Sequence, residues 1–160
     1  MSSNLARRGK IRLDDLNWEH RRYSATGAYA QSKLANLLFT QELQRRLTEA
    51  ESEVRAVAAH PGVARTGLDR HYGGVQGLAL RALYPVIAQK KAEYGALPIL
   101  FAATEDVPGN AYVGPGDRHG GRPRLERRQD HGDARDLWET STRLTAVNPN
   151  PGLALSRPTG

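Results

Sequence analysis

The strongest constraint on the fold is a helix predicted for residues 27–50, with Thr26 as its N-cap. Its first half is apolar around most of the circumference, because two stripes of apolar side chains recur there at helical spacing. The stripes consist of Ala30, Leu34, Leu37 and Leu38 on one side and Ala35, Phe39, Leu43 and Leu47 on the other. A helix of this kind is usually buried on two sides. The sequence therefore predicts a globular fold in which this helix packs between other elements.

The rest of the chain predicts alternating helices and strands. The predicted elements are a buried strand at 54–59, an apolar helical segment at 75–88, a helix at 92–104 in which Pro98 predicts a kink or a late start, a last strand at 111–113 and a helix at 134–145. The last helix is amphipathic, with Leu137, Trp138 and Leu144 on its apolar side. Residues 1–26 and 114–132 are predicted to be loops. The alternation indicates an α/β fold, but two or three short strands are too few for a sheet of ordinary size.

Composition excludes several classes of function. The 160 residues suffice for one domain, and the formal net charge is +6. The most basic run, residues 118–128, contains no aromatic residue for base stacking and is interpreted as a solvated loop, so we expect no nucleic-acid partner.

The chain has no cysteine, and its five histidines show no metal-ligand spacing. The N-terminus has no apolar core of a signal peptide and no stretch is long enough to span a bilayer, so we expect a cytoplasmic protein without a membrane span.

Tyr29 and Lys33 are the residues with the clearest chemical potential. Four residues apart on a helix, they share one face and lie one turn from each other. A free phenol is protonated at neutral pH, but a nearby ammonium and a helix N-terminus both favour the phenolate. Tyr29 could then act as a general acid or base. The structural alternative is a half-buried tyrosine with an exposed lysine extending past it.

Several motifs around this pair resemble the short-chain dehydrogenase/reductase family. Residues 29–36, Tyr-Ala-Gln-Ser-Lys-Leu-Ala-Asn, closely resemble the active-site helix of that family, and residues 24–47 resemble its retinol-dehydrogenase-like subgroup. Ser3, in the Ser-Ser pair at the start of the chain, matches the family's catalytic serine. Residues 60–66, His-Pro-Gly-Val-Ala-Arg-Thr, match the family's Pro-Gly turn with its following threonine, and residues 137–139 resemble its last helix. The resemblance covers about residues 2–147, with one extra residue near Trp18.

The resemblance implies a set of functional residues. Tyr29 would exchange a proton with the carbonyl or alcohol oxygen, Ser3 would hydrogen-bond that oxygen, and Lys33 would favour the phenolate and bind the nicotinamide ribose. The residues expected to contact the cofactor are Tyr29, Lys33, Pro61, Gly62, Val63 and Thr66. The cofactor would be NADP or NAD, because the residues that choose between them lie upstream in the family. The subgroup suggests a small lipophilic alcohol, aldehyde or ketone as substrate.

The resemblance also implies the architecture. Residues 1–147 would be the C-terminal part of a doubly wound Rossmann-type parallel sheet that lacks the N-terminal dinucleotide-binding βαβ units, and residues 148–160 a disordered tail. Either the chain is a fragment with a misassigned start, or it is a short protein that pairs with another. In both cases we expect an isolated chain that is marginally stable and catalytically inactive.

A non-catalytic function is the alternative to an oxidoreductase. In the family the active-site helix commonly contributes to the dimer, so helix 27–50 could dock onto a second copy or an intact homologue. The enzyme hypothesis requires an effect of Tyr29→Phe. The docking hypothesis expects little effect from Tyr29→Phe and a large effect from Leu38→Arg.

Overall fold

The structure, a computed structural model, describes residues 1–62, 92–116, 121–127 and 134–147. These ranges form an α/β fold in which a small mixed sheet packs with helices. The elements in chain order are a 3₁₀ helix at Asn4–Arg8, α1 at Ala25–Glu49, β1 at Ala58–Ala59, α2 at Ala92–Thr104, β2 at Tyr112–Gly114, β3 at Arg124–Leu125 and α3 at Ala134–Thr145. The predicted helical segment at 75–88 and the predicted tail at 148–160 lie outside the described residues.

The long helix α1 begins two residues earlier than predicted. Ser24, not Thr26, is the N-cap: its backbone is extended and its Oγ accepts a hydrogen bond from the N–H of Gly27 over 3.2 Å. A side-chain oxygen at this position satisfies one of the N–H groups that a helix leaves unpaired at its start. Because two hydroxyl residues stand so close together, the sequence pattern did not distinguish them.

The sheet has the order β1-β2-β3. β1 runs parallel to β2, with Ala58 opposite Tyr112, and β3 is antiparallel to β2, with Val113 opposite Leu125. The prediction of a strand at 54–59 was too long, since only its last two residues form β1. The prediction that all of 114–132 is loop was wrong at β3, whose two residues are both exposed and form no apolar pattern.

The core lies between α1, the 3₁₀ helix, α3 and the sheet. Its members are Ala6, Leu34, Leu37, Leu38, Ala58, Tyr112, Ala134 and Leu137. Leu34 and Leu38 of α1 are almost completely buried, which stabilises the fold by about 1.5–3 kcal/mol for each side chain. On α3, Leu137 and Trp138 are buried as predicted, whereas Leu144 is 63% exposed and does not belong to the core face.

Two further outcomes concern α2, which contains Pro98, and the first 26 residues. α2 runs through Pro98, which is buried, so the proline does not delay the start of the helix. Residues 1–26, predicted as irregular, contain the 3₁₀ helix, which packs against α1. In the ranges that the structure describes, no helix combines the length and apolarity needed to cross a bilayer.

Candidate active site

Tyr29 and Lys33 face each other on α1, as their spacing predicted. Nζ of Lys33 lies 5.4 Å from the centre of the Tyr29 ring, within the range of a cation–π interaction. Both side chains are half-buried. Within the described ranges Lys33 forms no ion pair, so its ammonium is available to a ligand. The pair thus places a positive charge next to a phenol at the rim of the core.

Ser2, which precedes the candidate catalytic Ser3, is hydrogen-bonded to the turn of α1 that carries Lys33. The backbone N–H of Ser2 donates to the carbonyl oxygen of Ala59 over 2.8 Å, and Oγ of Ser2 donates to the carbonyl oxygen of Lys33 over 2.8 Å. The amide of Asn36 donates to the carbonyl oxygen of Met1 over 3.0 Å. The Ser-Ser pair therefore lies between the end of β1 and the turn of α1 that carries Lys33. Oγ of Ser3 accepts from the N–H of Leu5 and caps the 3₁₀ helix.

The Pro-Gly turn follows β1 directly. Gly62 has a φ of +68°, a conformation that favours glycine, and a Cβ there would lie 2.9 Å from the ring of Pro115. The N–H of Gly62 donates to Nδ1 of His60 over 3.1 Å. Ser2 and this turn both lie next to the end of β1, because the N–H of Ser2 is hydrogen-bonded to Ala59 and the turn follows Ala59 in the chain. The predicted site residues Val63 and Thr66 lie outside the described residues.

A polar network fixes the segment that leads into α1. Oδ1 of Asp15 accepts hydrogen bonds from the N–H groups of Glu19 and His20, at 2.7 and 3.2 Å, and Oδ2 lies 3.2 Å from Nε of Arg21. Burial alone raises the pKa of the Asp15 carboxyl, but these N–H donors and the Arg21 charge outweigh it and hold the pKa below its ordinary value. Arg21 also donates to the side-chain oxygen of Gln31, over 2.7 Å.

Gln31 joins this network to the active-site helix. Its Nε2 donates to the carbonyl oxygen of Leu16 over 2.9 Å, and the guanidinium of Arg21 lies 3.8 Å from the ring centre of Trp18. Gln31 is two residues from Tyr29, so the network anchors the first turns of α1 on the preceding segment. From the sequence, only turn-forming residues were recognised around Trp18. Aspartate is a residue whose side chain accepts N–H groups that follow it in a turn, so Asp15 is the residue from which this network could have been predicted.

A second group that the sequence did not reveal connects three distant segments. Oε1 of Glu126 lies 3.0 Å from Nε2 of His60, without the alignment of a regular hydrogen bond, and Oε2 accepts from the guanidinium of Arg7 over 3.0 Å. His60, the first residue of the Pro-Gly motif, is fully buried. Glu126 stands within the basic run that was interpreted as a solvated loop, so its role could not be seen in the sequence.

Comparison with known proteins decides the family. Human retinol dehydrogenase 13 is 40% identical over 147 residues, which are 87% of this chain and 42% of the human one. Mouse retinol dehydrogenase 14 is 33% identical over 153 residues, 92% of this chain and 43% of its own length. The chain belongs to the short-chain dehydrogenase/reductase family. No protein-family model matches it.

Two further relatives extend this result. Mouse polyprenol dehydrogenase is 37% identical over 142 residues, 87% of this chain and 41% of its own length. The crystal structure of an uncharacterised protein from Mycobacterium paratuberculosis is 44% identical with a TM-score of 0.70, and the match covers 92% of this chain and 49% of that one. This family member therefore spans less than half the length of the curated relatives it matches, consistent with the predicted correspondence to the C-terminal half.

The described site fits part of a nicotinamide cofactor. The ammonium of Lys33 has three N–H donors and no carboxylate partner within the described ranges, which suits the hydroxyl groups of a ribose. The turn at Gly62 places its backbone next to the end of β1, where ligands bind in open α/β sheets. Both features lie beside the same end of the sheet.

Proposed function

We propose that this chain forms the catalytic part of an NAD(P)-dependent oxidoreductase that interconverts an alcohol and a carbonyl compound, with Tyr29 as general acid/base. The observation that carries the proposal is the position of Nζ of Lys33, 5.4 Å from the centre of the Tyr29 ring, on a turn of α1 whose backbone accepts a hydrogen bond from Ser2. The relatives support it, because proteins named retinol and polyprenol dehydrogenases match most of this chain.

Three side chains divide the proton chemistry. Tyr29 donates its phenolic proton to the substrate's carbonyl oxygen during reduction and removes the hydroxyl proton during oxidation. Ser3 donates a hydrogen bond to the same oxygen and orients it toward Tyr29. Lys33 places a positive charge over the ring of Tyr29, and the N–H donors of its ammonium bind the ribose of the cofactor. The nicotinamide, when bound, supplies or accepts the hydride.

The cofactor would rest on the turn after β1. We propose that Pro61, Gly62, Val63 and Thr66 contact it, together with Tyr29 and Lys33. The position of this turn, directly after the end of β1, supports the role. NADP and NAD both remain in the proposal, because it includes no residue that would choose between them.

The substrate is proposed to be a small lipophilic alcohol, aldehyde or ketone. Two of the relatives are named for retinol and polyprenol, which are both apolar isoprenoid alcohols. We also propose that the described strands are the C-terminal part of a doubly wound sheet, which the parallel pairing of β1 and β2 supports. A cytoplasmic location completes the proposal, supported by a sequence without cysteine.

The test compares two proteins. One is the 160-residue chain, and the other carries the upstream half of human retinol dehydrogenase 13 joined before Ser2. Each is assayed for oxidation of NADPH and of NADH with retinal as the carbonyl substrate. We expect turnover in the joined protein and none in the 160-residue chain, because hydride transfer needs a complete cofactor site. A folded joined protein without turnover with either cofactor would contradict the proposal.

A docking function is the second candidate, and one surface feature favours it. Phe39 of α1 is 50% exposed and stacks on Trp138 of α3, with ring centres 5.2 Å apart. A groove of about 270 Å³ runs along this face. We propose that the face packs against a second copy or an intact homologue, as an exposed apolar surface can.

A further inference from the structure

His60, Glu126 and Arg7 form a bridge of close polar contacts from the Pro-Gly turn to the 3₁₀ helix, in which the contact between His60 and Glu126 lacks the alignment of a regular hydrogen bond. Nδ1 of His60 accepts the N–H of Gly62 over 3.1 Å, so the neutral ring carries its proton on Nε2. Nε2 lies 3.0 Å from Oε1 of Glu126, and Oε2 of the same carboxylate binds Arg7 over 3.0 Å. Arg7 stands four residues after Ser3 in the 3₁₀ helix that Ser3 caps.

The central part of the bridge is attached to β2. The backbone N–H of His60 donates to the carbonyl oxygen of Val113 over 2.9 Å, and the N–H of Glu126 donates to the carbonyl oxygen of Tyr112 over 2.7 Å. The ring of His60 also packs on the ring of Tyr112, with centres 5.0 Å apart. The backbones of His60 and Glu126 are therefore held by the sheet. Their side chains contact two segments outside the strands, the Gly62 turn and the 3₁₀ helix.

Gly114 of β2 makes room for the bridge. A Cβ at this position would collide with Oε1 of Glu126 and lie 2.5 Å from Nε2 of His60. His60 is fully buried, and the side chain of Glu126 is only 13% exposed. A buried imidazole and a nearly buried carboxylate cost solvation energy, which an apolar pair of similar size would avoid. Their presence is explained if the position of the segments they hold matters.

We infer that His60 and Glu126 are positioning residues, which fix the Gly62 turn and the segment carrying Ser3 relative to each other. This inference rests on the proposed function, since the turn is then the cofactor contact and Ser3 the group that binds the substrate oxygen. His60 acts on the cofactor side through the N–H of Gly62. Glu126 acts on the substrate side through Arg7.

The bridge itself is tested in the full 160-residue chain by nitrogen NMR and amide exchange. We expect the His60 proton on Nε2 and slow exchange of the Gly62 amide. His60→Asn retains an oxygen that can accept the N–H two residues later, so this variant should keep the slow exchange. His60→Leu should lose it. A proton on Nδ1, or a Gly62 amide that exchanges equally fast in all three proteins, would overturn the bridge.

The functional role is tested in the joined protein described above. We expect His60→Leu to raise the KM for the cofactor roughly tenfold, and His60→Asn to restore it to within about threefold of the unmodified value. Arg7→Gln and Glu126→Gln should lower kcat several-fold with little change in that KM. Asp106→Asn is the matched control, since it breaks a surface ion pair with Arg55 and should change neither constant.

The outcomes separate this inference from the proposed function. If the joined protein has no turnover before any substitution, the proposed function fails, and the NMR result alone decides whether the bridge exists. If turnover is normal and His60→Leu, Arg7→Gln and Glu126→Gln match the control, the positioning role is wrong while the proposed function stands. If His60→Leu does not give a cooperative thermal transition, the KM and kcat of His60→Asn and Arg7→Gln decide whether the positioning role holds.

Discussion

Oγ of Ser2 donates a hydrogen bond to the carbonyl oxygen of Lys33 over 2.8 Å, so one buried hydroxyl connects the start of the chain to helix α1. The N–H of the same residue pairs with Ala59 at the end of β1. Ser2 is thus fixed on both sides, and Ser3 inherits its position from these two bonds. The resemblance predicted Ser3 as a catalytic residue, and the structure shows that the residue before it is anchored by two hydrogen bonds.

Ser2→Ala should therefore weaken catalysis without removing a reacting group. Loss of one buried hydrogen bond destabilises the fold by about 1 kcal/mol, and looser positioning of Ser3 should lower kcat roughly three- to tenfold in the joined protein. Kinetics and urea unfolding measure the two effects, with Ser141→Ala on the exposed side of α3 as the control. Unchanged kcat in Ser2→Ala would show that Ser3 does not depend on this anchor.

Gly114→Ala should displace the Glu126 carboxylate and loosen the bridge. Because the added methyl group meets both His60 and Glu126, we expect a loss of about 1–3 kcal/mol in the free energy of unfolding. Combining it with Glu126→Ala frees part of the space, so the double variant should lose less than the sum of the two single changes. Strict additivity in urea unfolding would contradict the packing described here.

The stability of the chain should fall in acid through Asp15 and Glu42. Hydrogen bonds from Arg45 hold the pKa of Glu42 below its ordinary value of 4.5, against the effect of burial, and Arg46 adds to this. The pKa of Asp15 likewise lies below its ordinary 3.8. Since both carboxyls bind protons more weakly in the folded state, their stabilisation is complete above the ordinary values and is lost as the pH falls through the lowered ones.

The measurement is urea unfolding at about pH 7 and about pH 3. We expect Asp15→Asn and Glu42→Gln to reduce the difference in unfolding free energy between the two conditions. Glu139→Gln, on the exposed side of α3, is the control. A difference that both substitutions leave intact would mean that other groups cause the acid sensitivity.

The docking hypothesis requires a different substitution from the one that the sequence suggested. Leu38 is 1% exposed and belongs to the core, so Leu38→Arg would disrupt folding whether or not the helix docks. Phe39 is half exposed, and Phe39→Arg should leave the thermal transition largely intact. We expect this variant to shift self-association toward the monomer in analytical ultracentrifugation, and an unchanged distribution would remove docking onto a second copy.

The long-range contacts mark the limit of what the sequence could predict. Helices α1, α2 and α3 were recognised because apolar periodicity is a local signal, and the Tyr29–Lys33 contact follows from helical geometry alone. The contact of Arg7 with Glu126 joins residues 119 positions apart, and no local pattern encodes it. β3 escaped prediction for a related reason, since its two exposed residues form a strand only by pairing with β2.

Local errors had local causes. Ser24 and Thr26 both suit an N-cap, and the choice depends on which residue leaves the extended conformation first. Leu144 follows the helical spacing of Leu137 and Trp138, but it stands in the last turn of α3, where the core no longer covers it. In both cases tertiary packing decided what the pattern left open.

The most direct test of the account is Tyr29→Phe in the joined protein, with Tyr94→Phe as the matched control. Both substitutions remove one phenolic oxygen, and Tyr94 lies exposed on α2. We expect Tyr29→Phe to lower kcat by about 10²- to 10⁴-fold at an unchanged melting temperature, and Tyr94→Phe to retain full turnover. Equal turnover in the two variants would show that Tyr29 is not the proton donor and would contradict the central claim.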